Sequence, residues 1–442
     1  MGPGVRSRTG APRVGAQRRV RVWWRAGLVG LLSVGPVLAG GGAASGVDGQ
    51  WWYAQMGVAA AHAAGADGHG VVVAMIDSNI NPALEVFAGA DLQVHEPSLC
   101  LIRGTDQHPP AASSLMTFST FHGTATASLI VGNGRGQDGG PSTRGIAPRA
   151  TLRFYSAGRP KEDHRSNGCS IAFPMLQAVS DGAKIITTSR SGRGGTVREA
   201  AAWALNQGVI IVAGLPEASG DEIYGSVGEL NGAIGVQMTG PDHRAVPQQG
   251  PAGGAYPNKK VTVGAPGLDI LLPGDLKAKD WAVTSQRTGT SYATPITAGV
   301  LAAVWSKYPS ATANQLVQSL IANATPGGPE LGYGLVNLPA MVADDPTKYP
   351  DVNLLIVPDA QFDGDISAAD IAAATEPPFP IPTPPVTQTA TSSPSPTPTD
   401  LVPPEPPGGV PGWVWAALAG VVLVVITVVI LAAVLITRKA KS

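Results

Sequence analysis

Between residues 71 and 212 short apolar runs alternate with longer stretches of helical spacing, and this alternation narrows the fold more than any other feature of the chain. Residues 71–76 (Val-Val-Val-Ala-Met-Ile), 151–155, 184–188 and 209–212 read as buried strands. A helix is expected through residues 122–132. Ala, Leu and Trp recur at helical spacing over residues 196–206, with Gly208 closing that helix before the next strand. Strands separated in this way pair as parallel neighbours through helical crossovers, so the reading is an α/β fold with a mostly parallel central sheet. Two more helices are expected downstream, an apolar one ending near residue 308 and an amphipathic one over residues 312–322.

Three reactive side chains fall at informative places in this pattern. Asp77 ends the first apolar run, His122 stands in His122-Gly123-Thr124-Ala125-Thr126-Ala127-Ser128, and Ser291 lies in Gly289-Thr290-Ser291-Tyr292-Ala293-Thr294-Pro295 ahead of the apolar helix. A serine hydroxyl is a poor nucleophile until a neutral imidazole takes its proton and a buried carboxylate fixes the tautomer of that imidazole. The chain order Asp, His, Ser is one of the known orders of such a triad.

These blocks resemble the Asp, His and Ser signatures of the subtilases, and the resemblance spans residues 51–342, with Gly332-Tyr333-Gly334-Leu335-Val336-Asn337 similar to the closing block of the domain. It implies a three-layer subtilisin-like fold, hydrolysis of protein or peptide substrates by Asp77, His122 and Ser291, and no required cofactor. It also implies that the catalytic groups sit at the carboxyl ends of strands and at helix starts. Residues 189–192 (Ser189, Arg190, Ser191, Gly192) stand where subtilases carry the Ser-Leu-Gly edge that pairs with substrate, and Arg190 in place of Leu would favour acidic substrate groups or be a plain surface arginine.

The chain departs from the family pattern at two positions. Subtilases usually follow Ala-Gly at a strand end with an Asn that donates to the oxyanion, and here Ala213-Gly214 is followed by Leu215. Leucine has no side-chain donor, which leaves backbone amides for the developing charge. Loss of that donor cost a subtilisin about 10²–10³ in rate, so a slow enzyme is expected, with an attenuated or inactive subtilase serving as a structural partner as the alternative. The second departure is Asn79 in Asp77-Ser78-Asn79, where Gly is usual; Asn is expected to take up the turn in left-handed geometry.

The ends of the chain differ from its middle. Residues 6–25 are basic, 26–39 mostly apolar and 42–45 small, which reads as a secretory signal over residues 1–45, cleaved near Ala44. A peptidase domain is assigned to residues 46–345, an acidic extension to 346–375 and a Pro/Thr/Ser-rich linker to 376–411. Residues 412–437 are almost uninterruptedly apolar, long enough to cross a hydrocarbon core of about 30 Å as one helix. The basic tail 438–442 places that end in the cytoplasm and the catalytic body outside, in a single-pass cell-membrane protein. Only about 30 residues separate the signal from Asp77, too few for a folded propeptide. That economy, the Pro-rich linker and the terminal helix resemble the mycosins, subtilases anchored at type VII secretion complexes, which would be a partner.

The chain has two cysteines, Cys100 and Cys169, and outside the cytoplasm such a pair is expected to form a disulfide, here one that staples surface loops. Residues 359–370 carry Asp359, Asp363, Asp365 and Asp370 with Gly364 at the sixth place, similar to a calcium loop; the other reading is an acidic, solvated start to the linker. The remaining histidines lack metal-ligand spacing. With a formal net charge of −1 and 14% charged residues, nothing suggests a nucleic-acid partner, which would need a clustered basic face.

Overall fold

The computed structural model describes residues 49–382, apart from 103–104, 158–169, 191, 193, 217–225, 247–259 and 361–363. In chain order the helices are α1 (Trp51–Gln55), α2 (Val58–Ala63), α3 (Phe118–Val131), α4 (Ala172–Ser180), α5 (Gly195–Asn206), α6 (Thr290–Lys307), α7 (Ala313–Ala322), α8 (Leu338–Ala343) and α9 (Ala368–Ala373). The strands are β1 (Val72–Asp77), β2 (Leu92–Val94), β3 (Asn133–Arg135), β4 (Pro141–Arg144), β5 (Thr151–Ser156), β6 (Ile185–Thr188), β7 (Ile210–Gly214), β8 (Ile234–Thr239), β9 (Val263–Pro266), β10 (Ile270–Leu272) and β11 (Ser285–Arg287).

Seven of these strands form one sheet in the order β2-β5-β1-β6-β7-β8-β9, and every neighbouring pair is parallel. The pleat divides the core. On β1, Val73 and Met75 face one layer and Ala74 and Ile76 the other; on β7, Ile210 and Val212 oppose Ile211 and Ala213 in the same way. The first layer contains α3 and α6, and the second contains α4 and α5. Helix α6 is buried on nearly all its faces, which accounts for its run of Ile, Ala, Val and Leu without an amphipathic stripe.

One expected helix start differs from the structure. Helix α3 begins at Phe118, four residues before His122, because Thr117 caps it by accepting from the Thr120 N–H. His122 therefore sits in the second turn and does not open the helix. Ahead of β1 the chain forms two short helices, α1 and α2.

The extension after residue 345 is part of the body. The described residues through 382 belong to one compact unit. Ile366, Ile371, Phe379 and Ile381 pack on the layer of α4 and α5, so the described start of the expected linker is docked on the domain. Buried Asn231 holds this strap: its side chain donates to the carbonyls of Val357 (2.8 Å) and Ile366 (3.0 Å) and accepts from the Val357 N–H (2.9 Å). The signal, most of the linker and the terminal apolar segment lie outside the described residues, and among those described no helix is long and apolar enough to cross a membrane.

Asn231→Ala removes the partner of the buried Ile366 carbonyl and of the half-buried Val357 carbonyl and N–H, and should lower unfolding free energy by about 2–4 kcal/mol. Urea denaturation measures this, and an unchanged midpoint would contradict the docking of the strap.

Candidate active site

The carboxyl end of β1 delivers Asp77 into a buried polar pocket. The Asp77 side chain is 1% exposed, and its Oδ1 accepts from His122 Nδ1 at 2.7 Å, from the Ser78 N–H at 2.6 Å and from Ser78 Oγ at 3.1 Å. Its Oδ2 accepts from Thr126 Oγ1 at 2.9 Å. An ionised carboxylate only accepts, so the His122 proton lies on Nδ1 and Nε2 is left as the basic nitrogen. Thr126 stands one turn after His122 on the same face of α3, and this i,i+4 relation was visible in the sequence although Thr126 was missed there.

The close approach of α3 to the end of β1 requires glycine after His122. A Cβ on Gly123 would lie 2.3 Å from the Asn79 carbonyl oxygen and 2.8 Å from the Phe154 ring. Asn79 itself does not take the left-handed geometry expected for it; it is absent from the positive-φ positions, and its side-chain amide instead donates to the carbonyls of Pro110 (2.9 Å) and Ala111 (3.1 Å).

Ser291 is the second residue of α6, in the first turn, where backbone N–H groups have no partner within the helix and the helix dipole favours negative charge. Pro295 lies four residues on and has no N–H to offer the Ser291 carbonyl. That carbonyl accepts instead from Ser189 Oγ at 2.9 Å, which ties the end of β6 to the start of α6. The next residue, Tyr292, places its ring 6.5 Å from that of His122, so the α6 start and the Asp77–His122 pair share one pocket. Phe118, 40% exposed, stacks against the His122 ring at 5.8 Å and 23°; nothing in the sequence singled it out.

The other expected site residues fall as follows. Leu215 continues β7: its N–H donates to the Val236 carbonyl at 3.1 Å, its carbonyl accepts from Thr290 Oγ1 at 3.0 Å, and its side chain is buried beside Gly235. Arg190 is half-buried and turned inward, with Nη1 3.5 Å from Ser78 Oγ, so its guanidinium is not presented to substrate as expected. Gly192 has φ +126°, and Ser191 lies outside the described residues. Cys100 is disulfide-bonded; Cys169, the only other cysteine, lies outside the described residues. Cys100 is 2% exposed, so its end of the bond is buried and not in a surface loop.

In the acidic loop Asp365 accepts from the Asn231 N–H (2.8 Å) and stands 3.7 Å from Lys260, and Arg198 donates to the Gly364 carbonyl (2.8 Å). Asp370 caps α9 in a capping box with Ser367. Asp365 and Asp370 thus have protein partners; Asp363 lies outside the described residues. No group of three His, Cys, Asp or Glu able to hold a metal occurs among the described residues.

Residues 68–338 match the model of the Subtilase family, and the chain belongs to that family. M-protease of Shouchella clausii is 30% identical over 66% of this chain and 69% of its own length. A thermostable alkaline protease of Halalkalibacterium halodurans is 28% identical over 65% of this chain and 72% of its own. Subtilisin BL of Lederbergia lenta is 27% identical over 66% of this chain and 97% of its own. Among solved structures, the PatG macrocyclase in complex with peptide aligns with a TM-score of 0.50 at 18% identity, over 65% of this chain and 95% of that one, a likeness of fold. The chain is thus a serine-type peptidase with a subtilisin-like α/β fold.

Burial alone would raise the Asp77 carboxyl, but His122, Arg190 and the Ser78 N–H outweigh it and hold the group at about 2. A carboxyl lowered in the fold stabilises it fully above the unfolded value near 4, and that stability is lost as pH falls toward 2. The contribution is on the order of 2 kcal/mol. Asp77→Asn should flatten the dependence of unfolding free energy on pH between about 4 and 2, measured by urea titrations across that range; a slope equal to wild type would show that Asp77 is not held ionised.

Proposed function

We propose that this subtilase is a slow extracytoplasmic endopeptidase, anchored by its C-terminal apolar segment, in which Ser291 attacks, His122 shuttles the proton and Asp77 orients the imidazole. The observation that carries the reading is the buried 2.7 Å contact between His122 Nδ1 and Asp77, with the first turn of α6 in the same pocket. Ser291 Oγ adds to the scissile carbonyl as His122 Nε2 takes its proton, and the tetrahedral oxyanion develops by the first turn of α6. Collapse expels the amine with the proton from His122, and water then repeats the cycle on the acyl-enzyme. Ser189, Arg190, Ser191 and Gly192 remain the proposed substrate edge through their backbone, although the Arg190 N–H is engaged by Thr188 Oγ1 at 3.2 Å.

Leu215 supports the low rate, since its side chain packs on β8 and has no donor to offer. The same residue favours a second reading, in which an attenuated subtilase acts chiefly as a structural partner. The mycosin resemblance supports a type VII secretion membrane complex as the setting for either reading.

A fluorophosphonate probe should label the folded protein and not its Ser291→Ala variant, and Leu215→Asn should raise the labelling rate roughly 10- to 100-fold. Folded protein that is never labelled would favour the structural reading. For the anchor, the full chain expressed in an actinobacterium should stay with membranes after an alkaline carbonate wash, whereas a chain ending at residue 382 should be released; release of both would reject the anchor.

A further inference from the structure

Arg190 is the residue of the site whose position was least expected. It follows Thr188 and Ser189 at the carboxyl end of β6, the strand beside β1, and its backbone is fixed there because its N–H donates to Thr188 Oγ1 at 3.2 Å. Thr188 Oγ1 in turn donates to the Ile76 carbonyl at 2.9 Å, immediately before Asp77. The guanidinium folds back over β1: Nη1 lies 3.5 Å from Ser78 Oγ, and that hydroxyl donates to Asp77 Oδ1 at 3.1 Å, the oxygen that also takes the His122 proton. A fixed cation thus stands near the carboxylate, one hydroxyl away from Oδ1.

We propose that Arg190 is a positioning residue of the catalytic pair: its guanidinium supplies a permanent positive charge near Asp77 that opposes proton uptake by the Asp77–His122 couple and so sets the acid limit of catalysis. The inference rests on the peptidase reading above. A guanidinium stays charged throughout the working range, so its field does not titrate away. Burial raises the effect of that field, because little water lies between the groups to screen it. The lowered Asp77 carboxyl is consistent with this, with Arg190 among its causes after burial and His122.

The other charged groups near the pair, among the described residues, do not supply the same field. Helix α3 carries no ionisable side chain but His122, and α6 none but Tyr292 and Lys307, the latter in its last turn. From β11, Arg287 lies over the Phe121 ring at 5.6 Å and is 3.9 Å from Asp275, which offsets its charge. On β1 and in the turn after it, Asp77 is the only charged side chain.

The test compares Arg190→Gln and Arg190→Lys with wild type in two measurements. In the first, the rate of labelling by a fluorophosphonate is followed from pH 4.5 to 9. Arg190→Gln should move the acid limb upward by on the order of one pH unit, while Arg190→Lys should stay near wild type. In the second, 13C-labelled histidine is titrated by NMR in the Ser291→Ala background, where no turnover is needed, and the imidazole that responds to Asp77→Asn should show the same displacement. Coincident titrations for all three proteins would overturn the proposal. A wild-type chain that is never labelled would reject the peptidase reading instead, while the NMR titrations would still decide the role of Arg190.

Discussion

The buried hydrogen bond between Asp77 and His122 is the constraint around which this end of the sheet is arranged. A carboxylate this deep is tolerable only when its oxygens are fully used, because an unpaired buried charge costs several kcal/mol. Four donors meet that requirement: His122, the Ser78 N–H and hydroxyl, and Thr126. To bring them there, α3 must lie against the loop after β1, and the absence of a Cβ on Gly123 makes the approach feasible. The carboxylate is therefore rigid before any substrate arrives, which is the condition for a base to act without reorganisation.

The nucleophile end solves a different problem. A proline within the second turn of α6 leaves the Ser291 carbonyl without its usual helical donor. The Ser189 hydroxyl fills that place and connects α6 to the strand next to β1. The same irregularity that would weaken an isolated helix thus becomes a cross-link between the residue offered as nucleophile and the strand that carries Arg190. A regular helix would have satisfied its own carbonyl and left Ser189 with nothing to hold.

Much of this was legible in the sequence because it follows from local pattern. The alternation of short apolar runs with helical stretches fixed the parallel sheet, and the order of Asp77, His122 and Ser291 picked out the groups that the fold brings to one end of it. What escaped was set by contacts between distant segments. Arg190 reads as a surface side chain until β6 is laid beside β1, and Asn79 reads as a left-handed turn residue until residues 110 and 111 supply acceptors for its amide. In the acidic loop, Arg198, Asn231 and Lys260, all distant in sequence, take up Gly364 and Asp365. Likewise the acidic extension over residues 346–375 and the start of the linker gave no sign of docking, because their few apolar residues, Ile366, Ile371, Phe379 and Ile381, are too widely spaced to suggest a buried face.

Magnitudes bound what Leu215 can cost the reaction. One missing oxyanion donor removes about 3–4 kcal/mol of transition-state stabilisation, a factor of 10²–10³. Enzymes accelerate their reactions by about 10⁶ at the least and often far more, so a loss of that size leaves substantial catalysis provided the nucleophile and base stay aligned. The first turn of α6 still presents its N–H groups and its dipole at Ser291, and those backbone donors do not depend on the identity of residue 215. Turnover also needs Ser291 aligned with His122; within the Asp77–His122 pair the hydrogen bonding is complete. On the proposed reading position 215 tunes the rate, while the intact pair argues that a chemical function is retained.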